Sequence, residues 1–369
     1  AKFQMGLFDD PYVDPDEAER IVRDPFHRAL ALEAARKTIT LLKNDGGLLP
    51  LDEHRVKRIA VIGPNADRVM LGGYSGVPLH ADTVLQGIRL RAPADVEILF
   101  HEGCKITVGG SWKQDEVTAA DPEENRRSIR EAAAVAAQAD VVVLAIGDNE
   151  QTSREAWAAN HLGDRASLDL VGEQDELFEA VAATGKPVVV LLFSGRPLSV
   201  RRVAERAGAI LELWYLGQET GTAVANVLFG DVNPGGKLPI TIPRSAGHVP
   251  AYYNYKPSAR RGYLFDTVEP LFPFGFGLSY TTFAFEHLRL DKAVIGAGDT
   301  ARLSIDVTNT GARPGDEVVQ LYIRDLVSSV TRPVKELKAF QRITLAPGER
   351  RTVVFDVTPE QLAFYDIDM

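Results

Sequence analysis

The sequence predicts an α/β domain, with a mostly parallel sheet and helices on both faces, followed by an all-β antiparallel sandwich. Three observations carry this prediction. Residues 26–247 alternate short apolar runs with helical patterns, an order typical of parallel strands joined by right-handed crossovers. Residues 141–146 are apolar without interruption, as expected of a strand buried on both faces. Beyond residue 283, apolar and polar residues alternate between turn-forming segments, which indicates half-buried antiparallel strands.

The composition excludes several classes of partner and site. A net charge of −10 disfavours nucleic acid and anionic membrane surfaces, because both require a basic protein face. No apolar run approaches the roughly 20 residues of a membrane span. The single cysteine, Cys104, excludes a disulfide within the chain and is interpreted as a small buried hydrophobe. No group of His, Asp or Glu has the spacing of metal ligands, so neither a metal nor a cofactor is expected.

The elements of the α/β domain follow from the period of the apolar residues and from the glycines and prolines that interrupt it. Helices are predicted at residues 16–42, 126–139, 172–184, 197–206 and 219–229. Strands are predicted at 57–63, 96–100, 141–146, 187–193 and 209–214, with an edge strand at 235–243 where proline is tolerated.

The remainder of the chain changes character at residue 248. Residues 248–282 are rich in Pro, Gly, Tyr and Phe without periodicity, and they are interpreted as a packed connector. Strands are then predicted at 283–290, 301–307, 317–323, 337–345, 351–357 and 362–366. About six strands are one fewer than the seven expected of a sandwich of this kind.

A long polar loop follows the buried strand at 141–146. Residues 147–170 carry both signs of charge, a tryptophan and a histidine. In open α/β sheets, ligands bind beyond the carboxyl ends of the strands, and loops of this length in compact domains are usually functional or disordered. The tryptophan and the density of charge argue against disorder, so this loop is predicted to carry the functional site.

Three motifs stand out along the chain: KFQMGLFDDPYVDP at 2–15, GQETGTAVANVLFGDVNPGGKLPITIP at 217–243 and EPLFPFGFGLSYTTF at 269–283. Together they resemble glycoside hydrolase family 3, the family of β-glucosidases and β-xylosidases. The first resembles the end of that family's catalytic (β/α)8 barrel and the start of its linker, the second its G-x-E-x-G…N-P-x-G-K-L-P-x-T signature, and the third its connector. The resemblance covers the whole chain.

The resemblance implies a division of the chain into four parts. Residues 1–25 would be the end of a barrel and a linker, 26–247 an α/β sandwich domain, 248–282 a connector and 283–369 a fibronectin type III-like domain, truncated before its last strand. The family's nucleophilic Asp lies on the barrel, commonly in Ser-Asp-Trp, and this chain contains no such motif. The chain alone is therefore expected to be inactive, with the barrel of the same protein as its partner.

The resemblance also places a general acid/base in the polar loop. The family carries this Glu after the corresponding strand, and alignment of Gly147 and of Asp164-Arg165 assigns the role to Glu155. The segment from Glu155 to Arg165 is longer than in relatives, which an insertion at 158–162 accounts for, and Val171 stands where Pro is usual. Glu150 is the rival on the same loop.

Several other residues have a candidate role. By the resemblance, Tyr74 occupies a position where relatives stack an aromatic ring on the sugar beyond the scissile bond, and Trp157 is expected to form an apolar wall beside Glu155. The alternative interpretation of Tyr74 is a turn residue packed on the rim. The remaining residues are interpreted as follows: Trp112 as a further rim aromatic, Asp164-Arg165 as an ion pair, His161 as a solvated loop residue that could touch the sugar, and Glu219 as a charge at a helix N-terminus.

The expected function is thus part of a retaining, exo-acting β-glucosidase that hydrolyses terminal β-D-glucosyl residues of β-glucosides or oligosaccharides. This chain would supply the acid/base carboxyl and part of the aglycone site. A β-xylosidase of the same family and a non-catalytic sugar-binding or subunit-interaction module are the alternatives.

Overall fold

A computed structural model describes residues 1–22, 24–76 and 78–368. The helices are α1 (Pro15–Val22), α2 (Pro25–Thr38), α3 (Val84–Arg91), α4 (Pro122–Ala136), α5 (Gln174–Ala182), α6 (Arg201–Arg206), α7 (Thr220–Leu228) and α8 (Pro359–Leu362). The strands are β1 (Thr40–Asn44), β2 (Arg58–Ile62), β3 (Glu97–His101), β4 (Thr107–Val108), β5 (Thr118–Ala119), β6 (Val141–Gly147), β7 (Val188–Phe193), β8 (Ala209–Glu212), β9 (Phe283–Leu290), β10 (Ala301–Asn309), β11 (Gly315–Ile323), β12 (Glu336–Leu345) and β13 (Arg350–Val357). No helix among the described residues is long and apolar enough to cross a membrane.

The α/β part is built on a six-stranded sheet in the order β1-β8-β7-β6-β2-β3. Strands β3, β2, β6, β7 and β8 pair in parallel, and β1 pairs antiparallel to β8 at the edge. The central strands β6 and β7 are buried along their whole length, which explains their uninterrupted apolar sequences. The predicted parallel sheet, covered on both faces, is confirmed.

Two apolar layers enclose this sheet. One layer joins strand residues to α2, α3 and α7, and the other joins the alternate strand residues to α4, α5 and α6. Cys104 lies in the second layer, where burial raises the pKa of its thiol to about 12, as expected of a cysteine used as a buried hydrophobe.

Two predicted elements at the β1 edge of the sheet are wrong. The predicted helix at 16–42 is two helices, and its last residues form β1, because Thr40 and Leu41 pair with β8. Ile39 and Leu42, whose spacing also fits a helix, are buried there. Residues 235–243 form no ladder, and the predicted edge strand there is replaced by isolated bonds. The Leu238 N–H donates to the Phe276 carbonyl and the Ile242 N–H to the Phe272 carbonyl, both at 2.8 Å.

Helix α3 was not anticipated from the sequence, although its start carries a signal. Thr83 accepts a hydrogen bond from the Gln86 N–H at 3.2 Å, and the Gln86 side chain accepts one from the Thr83 N–H at 3.0 Å. This reciprocal capping box stabilises the first turn of the helix. The pattern Thr-x-x-Gln before an apolar run was the available clue.

The C-terminal part is an antiparallel sandwich of two small sheets, β13-β10-β9 and β11-β12. Its buried core is small and is contributed by both sheets: Val307, Val319, Ile343, Leu345 and Val353. The strand predicted at 362–366 is wrong, because Thr358 and Gln361 form a capping box and Pro359 begins the short helix α8 instead.

The topology of the main sheet fixes where a ligand can bind. The chain passes from β2 outward to β3 and then returns to place β6 on the other side of β2. The loops that follow β2 and β6 therefore diverge from the carboxyl ends of these two strands in opposite directions. A crevice between such loops is the usual ligand site of a doubly wound sheet.

Candidate functional site

The loops after β2 and β6 and the segment between β4 and β5 border a cavity of about 490 Å³ at this crevice, and Gly195 and Tyr215 also lie on its wall. Six of the residues singled out from the sequence lie on its walls: Tyr74, Trp112, Glu150, Glu155, Trp157 and His161. The structure thus brings the three predicted site residues Glu155, Tyr74 and Trp157 to one cavity.

A buried carboxylate anchors the loop directly after β6. Arg165 Nη1 donates to Asp148 Oδ1 at 2.6 Å, and Thr152 Oγ1 donates to the same atom at 3.0 Å. Burial raises the pKa of Asp148, and the adjacent Arg165 guanidinium opposes that effect. The predicted pair between Asp164 and Arg165 is therefore wrong. Asp164 accepts the Ala156 N–H at 3.2 Å instead, and both bonds close the loop on itself.

Glu155 differs from Glu150, the other acidic residue on the cavity wall. Its side chain is exposed, and no described residue forms a hydrogen bond or an ion pair with its carboxylate. A carboxyl without an internal partner is free to exchange a proton with a bound molecule. The backbone on both sides of it is held, because Arg154 is buried and the Ala156 N–H is bonded.

Glu150, the rival acid, is engaged in holding the loop after β2. Its Oε1 accepts the Leu71 N–H at 3.3 Å, and its Oε2 lies 3.8 Å from Arg68 Nη2. Only 12% of its side chain is exposed. Glu150 therefore positions the glycine-rich segment that carries Tyr74.

Two aromatic pairs border the cavity. The rings of Tyr74 and Trp112 are 5.2 Å apart between centroids, and those of Trp157 and His161 are 4.9 Å apart. Tyr74 and Trp157 are 89% and 72% exposed, so their ring faces are open to a ligand. Exposed aromatic faces suit the C–H surfaces of a sugar or an aryl group.

The environment of His161 differs from the one predicted from the sequence. It is only 2% exposed, so the interpretation as a solvated residue is wrong. Neither ring nitrogen has a hydrogen-bond partner among the described residues, and Nδ1 is 3.7 Å from Asp115 Oδ1. The ring packs beneath Trp157 and supports the exposed indole.

The floor of the site holds polar groups that sequence reasoning missed. Tyr215 donates to the Asn149 carbonyl at 3.2 Å, its hydroxyl lies 2.6 Å from Ser153 Oγ, and burial raises its pKa. Glu212, at the end of β8, is fully buried, and burial raises its pKa to about 8. A glutamate inside the apolar run 209–214 was the signal for this buried carboxyl.

A second group of titratable residues lies at the start of α7. Ligand atoms of His80, Asp82 and Glu219 lie within 4.8 Å of one another, a grouping that chain spacing did not indicate. Arg28 occupies this group, with Nε donating to Glu219 Oε1 at 2.6 Å and Nη2 lying 2.6 Å from His80 Nε2. A guanidinium at that place disfavours a metal cation. Glu219 thus pairs with an arginine in addition to starting α7.

The Glycosyl hydrolase family 3 C-terminal domain model matches residues 39–280, and the Fibronectin type III-like domain model matches residues 317–369. A β-xylosidase of Formosa agariphila is 44% identical over 383 residues, and a periplasmic β-glucosidase of Salmonella typhimurium is 40% identical over 393 residues. Both alignments cover 100% of this chain and 50% of the relative.

Solved structures of β-glucosidases also match this chain over its whole length. A β-glucosidase from Erythrobacter marinus superimposes with a TM-score of 0.96 at 46% identity, and a β-glucosidase from Listeria innocua in complex with isofagomine with 0.86 at 32%. Each covers 100% of this chain, which corresponds to 50% of that protein. The chain therefore spans about half the length of the relatives it matches.

Proposed function

This chain belongs to glycoside hydrolase family 3, and from that premise we propose that it forms the acid/base half of a retaining, exo-acting β-glucosidase. A (β/α)8 barrel outside these 369 residues would supply the nucleophile and hold the terminal β-D-glucosyl residue. The cavity that Glu155 borders would receive the leaving group. No metal or cofactor takes part in this proposal.

The chemistry requires two carboxyl groups on opposite sides of the scissile bond, roughly 5 Å apart. In the first step the barrel carboxylate attacks the anomeric carbon, and Glu155 transfers its proton to the departing glycosidic oxygen. In the second step the Glu155 carboxylate takes a proton from water, whose oxygen attacks the same carbon and releases the nucleophile. Glu155 ends the cycle protonated, ready for another substrate.

The single observation that supports this role is the exposed, unpartnered carboxylate of Glu155 on the wall of a cavity with open aromatic rings. A general acid must be protonated before turnover, and removal from water favours the neutral carboxyl. A barrel that covers this cavity would remove Glu155 from water, and Trp157 would form part of the apolar wall.

The test replaces Glu155 in the full-length protein. Glu155→Ala should lower kcat/KM by about 10²–10⁴-fold for glucosides with poor leaving groups, because these need protonation. A 2,4-dinitrophenyl glucoside, which needs little protonation, should lose far less, and azide should partly restore turnover. Glu150→Ala is the matched control and should not give this dependence on the leaving group. Equal losses on both substrate types in Glu155→Ala would reject the assignment.

The 369-residue chain by itself serves as a second test. We expect it to leave aryl β-glucosides unhydrolysed, because the proposed nucleophile lies elsewhere. Normal turnover by the isolated chain would contradict the division of the site. Measurable binding of glucose to the isolated chain would instead favour a sugar-binding module.

A β-xylosidase is the second candidate, because the relative from Formosa agariphila carries that name at 44% identity. Glucose and xylose differ at C5, on the sugar that the barrel would hold. The kcat/KM values of the full-length protein for 4-nitrophenyl β-D-glucoside and β-D-xyloside decide between the two, and a higher value for the xyloside would replace the first proposal.

A further inference from the structure

We propose that Arg154 is a positioning residue that joins the loop of Glu155 to the loop of Trp112, so that the acid and the aromatic rim move as one unit. This inference rests on the role proposed for Glu155, the next residue in the chain. Arg154 acts through backbone contacts, and nothing in the chemistry requires it to touch the substrate.

Among the described residues, the guanidinium of Arg154 donates hydrogen bonds to backbone carbonyls alone. Nη1 donates to Trp112 O at 2.8 Å and also to Gln114 O, and Nη2 donates to Asp115 O at 2.8 Å. Its Nε donates to Leu162 O at 2.8 Å. One side chain therefore connects three carbonyls of the segment between β4 and β5 with the returning arm of its own loop.

The buried guanidinium of Arg154 requires compensation by hydrogen bonds. Arg154 is only 7% exposed, and no carboxylate among the described residues forms an ion pair with it. A buried charge is costly unless hydrogen bonds compensate it, and here four carbonyl dipoles do so. The planar fork of guanidinium donors reaches these carbonyls together, and a lysine ammonium cannot reproduce that geometry.

A second clamp holds the same backbone from the opposite arm of the loop. A Cβ added to Gly163 would lie 2.5 Å from the Arg154 carbonyl oxygen and 2.7 Å from the Glu155 carbonyl carbon. Only glycine permits this approach of backbone to backbone. Arg196 Nη2 also donates to the Arg154 carbonyl at 3.3 Å. The main chain at Glu155 is therefore fixed although its carboxylate is exposed.

The two joined loops also share a side-chain contact. Gln151 Nε2 donates to Ser111 O at 3.3 Å and to Gln114 Oε1 at 3.1 Å, which ties the loop after β6 to the segment that carries Trp112. Proton transfer depends steeply on position, and a displacement of about 1 Å can lower a rate by about 10²-fold. Loss of the clamp should therefore impair protonation of the leaving group in particular.

The test uses Arg154→Ala in the full-length protein. We expect kcat/KM for glucosides with poor leaving groups to fall about 10²-fold, while kcat/KM for the 2,4-dinitrophenyl glucoside changes about threefold or less. Added guanidinium should partly restore the first activity, and Arg154→Lys should behave like the alanine variant. Arg302→Ala, which alters an exposed arginine of β10, is the control and should match the unaltered protein.

Hydrogen exchange of the same proteins provides a readout that does not depend on catalysis. Arg154→Ala should accelerate exchange in residues 110–116 and 155–163 and leave β6 unchanged. Unchanged exchange in both segments would overturn the clamp. Accelerated exchange with equal losses on both substrates would overturn the positioning role. If Glu155→Ala shows no leaving-group dependence, the proposed function fails, and the exchange result still decides whether the clamp exists.

Gly163→Ala provides an independent variant, because it displaces the Glu155 backbone without removing a donor of Arg154. It should reproduce the selective loss on poor leaving groups. Gly298→Ala is its control, since an added Cβ there meets no atom within 4 Å. A Gly163→Ala protein with unaltered kinetics on both substrates would count against the inference.

Discussion

Three glutamates, Glu155, Glu150 and Glu212, have the same side chain but differ in exposure and in hydrogen-bond partners. Glu155 is exposed and unpartnered, Glu150 holds the segment after β2, and Glu212 is buried at the end of β8. The Glu212 carboxyl accepts hydrogen bonds from Ser194 Oγ and from the Trp214 N–H, both at 3.2 Å. Burial outweighs these bonds and favours its neutral form.

The raised pKa of Glu212 predicts a pH dependence of stability. Its folded-state pKa of about 8 exceeds the ordinary value of 4.5, so the folded protein binds this proton more tightly than the unfolded chain. The resulting stability is fully present below pH 4.5 and is lost as pH rises through 8. We expect Glu212→Gln to become more stable relative to the unaltered protein across this range, by on the order of 4 kcal/mol above pH 8.

Urea denaturation of both proteins at several pH values between 4 and 9 measures the difference in free energy of unfolding. Other titrating groups cancel in that difference, since both proteins share them. Glu179→Gln, which alters a more exposed carboxyl paired with Arg206, is the control and should not reproduce the trend. A difference that stays constant with pH would contradict the assigned protonation of Glu212.

At the scale of single residues, the resemblance of the sequence to a family identified Glu155, Tyr74 and Trp157, and the structure places all three on one cavity. Arg154 was not recognised, because its partners are carbonyls, which every residue possesses. No side-chain pattern records which carbonyls a folded chain will bring to an arginine.

Helices α3 and α7 pack with their backbones in contact. A Cβ added to Gly87 of α3 would lie 2.0 Å from the Gly221 carbonyl oxygen of α7. Asp82, just before α3, accepts the N–H groups of Gly221 and Thr222 at 2.9 and 2.7 Å. These bonds satisfy donors in the first turn of α7 and fix the helix against the loop that carries Tyr74.

We expect Gly87→Ala to destabilise the protein despite its gain in helix propensity. Alanine stabilises a helix interior by about 1 kcal/mol relative to glycine, whereas overpacking a rigid contact costs about 1–3 kcal/mol or more. The clash is with backbone that cannot rotate away, so the larger cost should dominate, with a net loss of about 2 kcal/mol.

The measurement is the free energy of unfolding in urea, with Gly76→Ala as the control because its added Cβ meets no atom within 4 Å. A Gly87→Ala protein as stable as the unaltered one would mean that the two helices separate readily.

At the scale of elements, the periodicity of apolar residues and the positions of glycine and proline predicted most helices and strands. The errors include the missed strand β1, the strands predicted at 235–243 and at 362–366, and the missed helix α3. At β1, pairing with β8 overrode a local helical pattern. A local pattern does not contain the information on such long-range pairing.

At the scale of the whole molecule, one ion pair joins the α/β part to the β-sandwich. Lys237 Nζ lies 2.9 Å from Glu317 Oε1, with 14% and 12% of the side chains exposed, and it also donates to the Gly277 carbonyl at 2.7 Å. The lysine belongs to the sequence signature at 217–243. Its structural task is therefore to connect two folding units.

We expect Lys237→Met to destabilise the protein by about 1.5–3 kcal/mol, because it leaves the Glu317 carboxylate poorly solvated and without its partner. The double variant with Glu317→Gln should recover part of this loss. The free energies of unfolding of the two single variants and the double variant form a cycle that isolates the pair. Trp214 fluorescence, in a Trp112→Phe, Trp157→Phe background, reports on the contact between the α/β part and the β-sandwich. Strictly additive losses would show that the two residues do not interact.

The linear order of residues was sufficient to establish the fold class, the family and the loop that bears the candidate acid, because apolar periodicity and motifs are local properties. Which strand takes the sheet edge, which arginine clamps the loop and which carboxyl becomes buried depended on folding. These features depend on contacts between segments that are distant in the chain. Such contacts contribute free energy only once folding has brought the segments together.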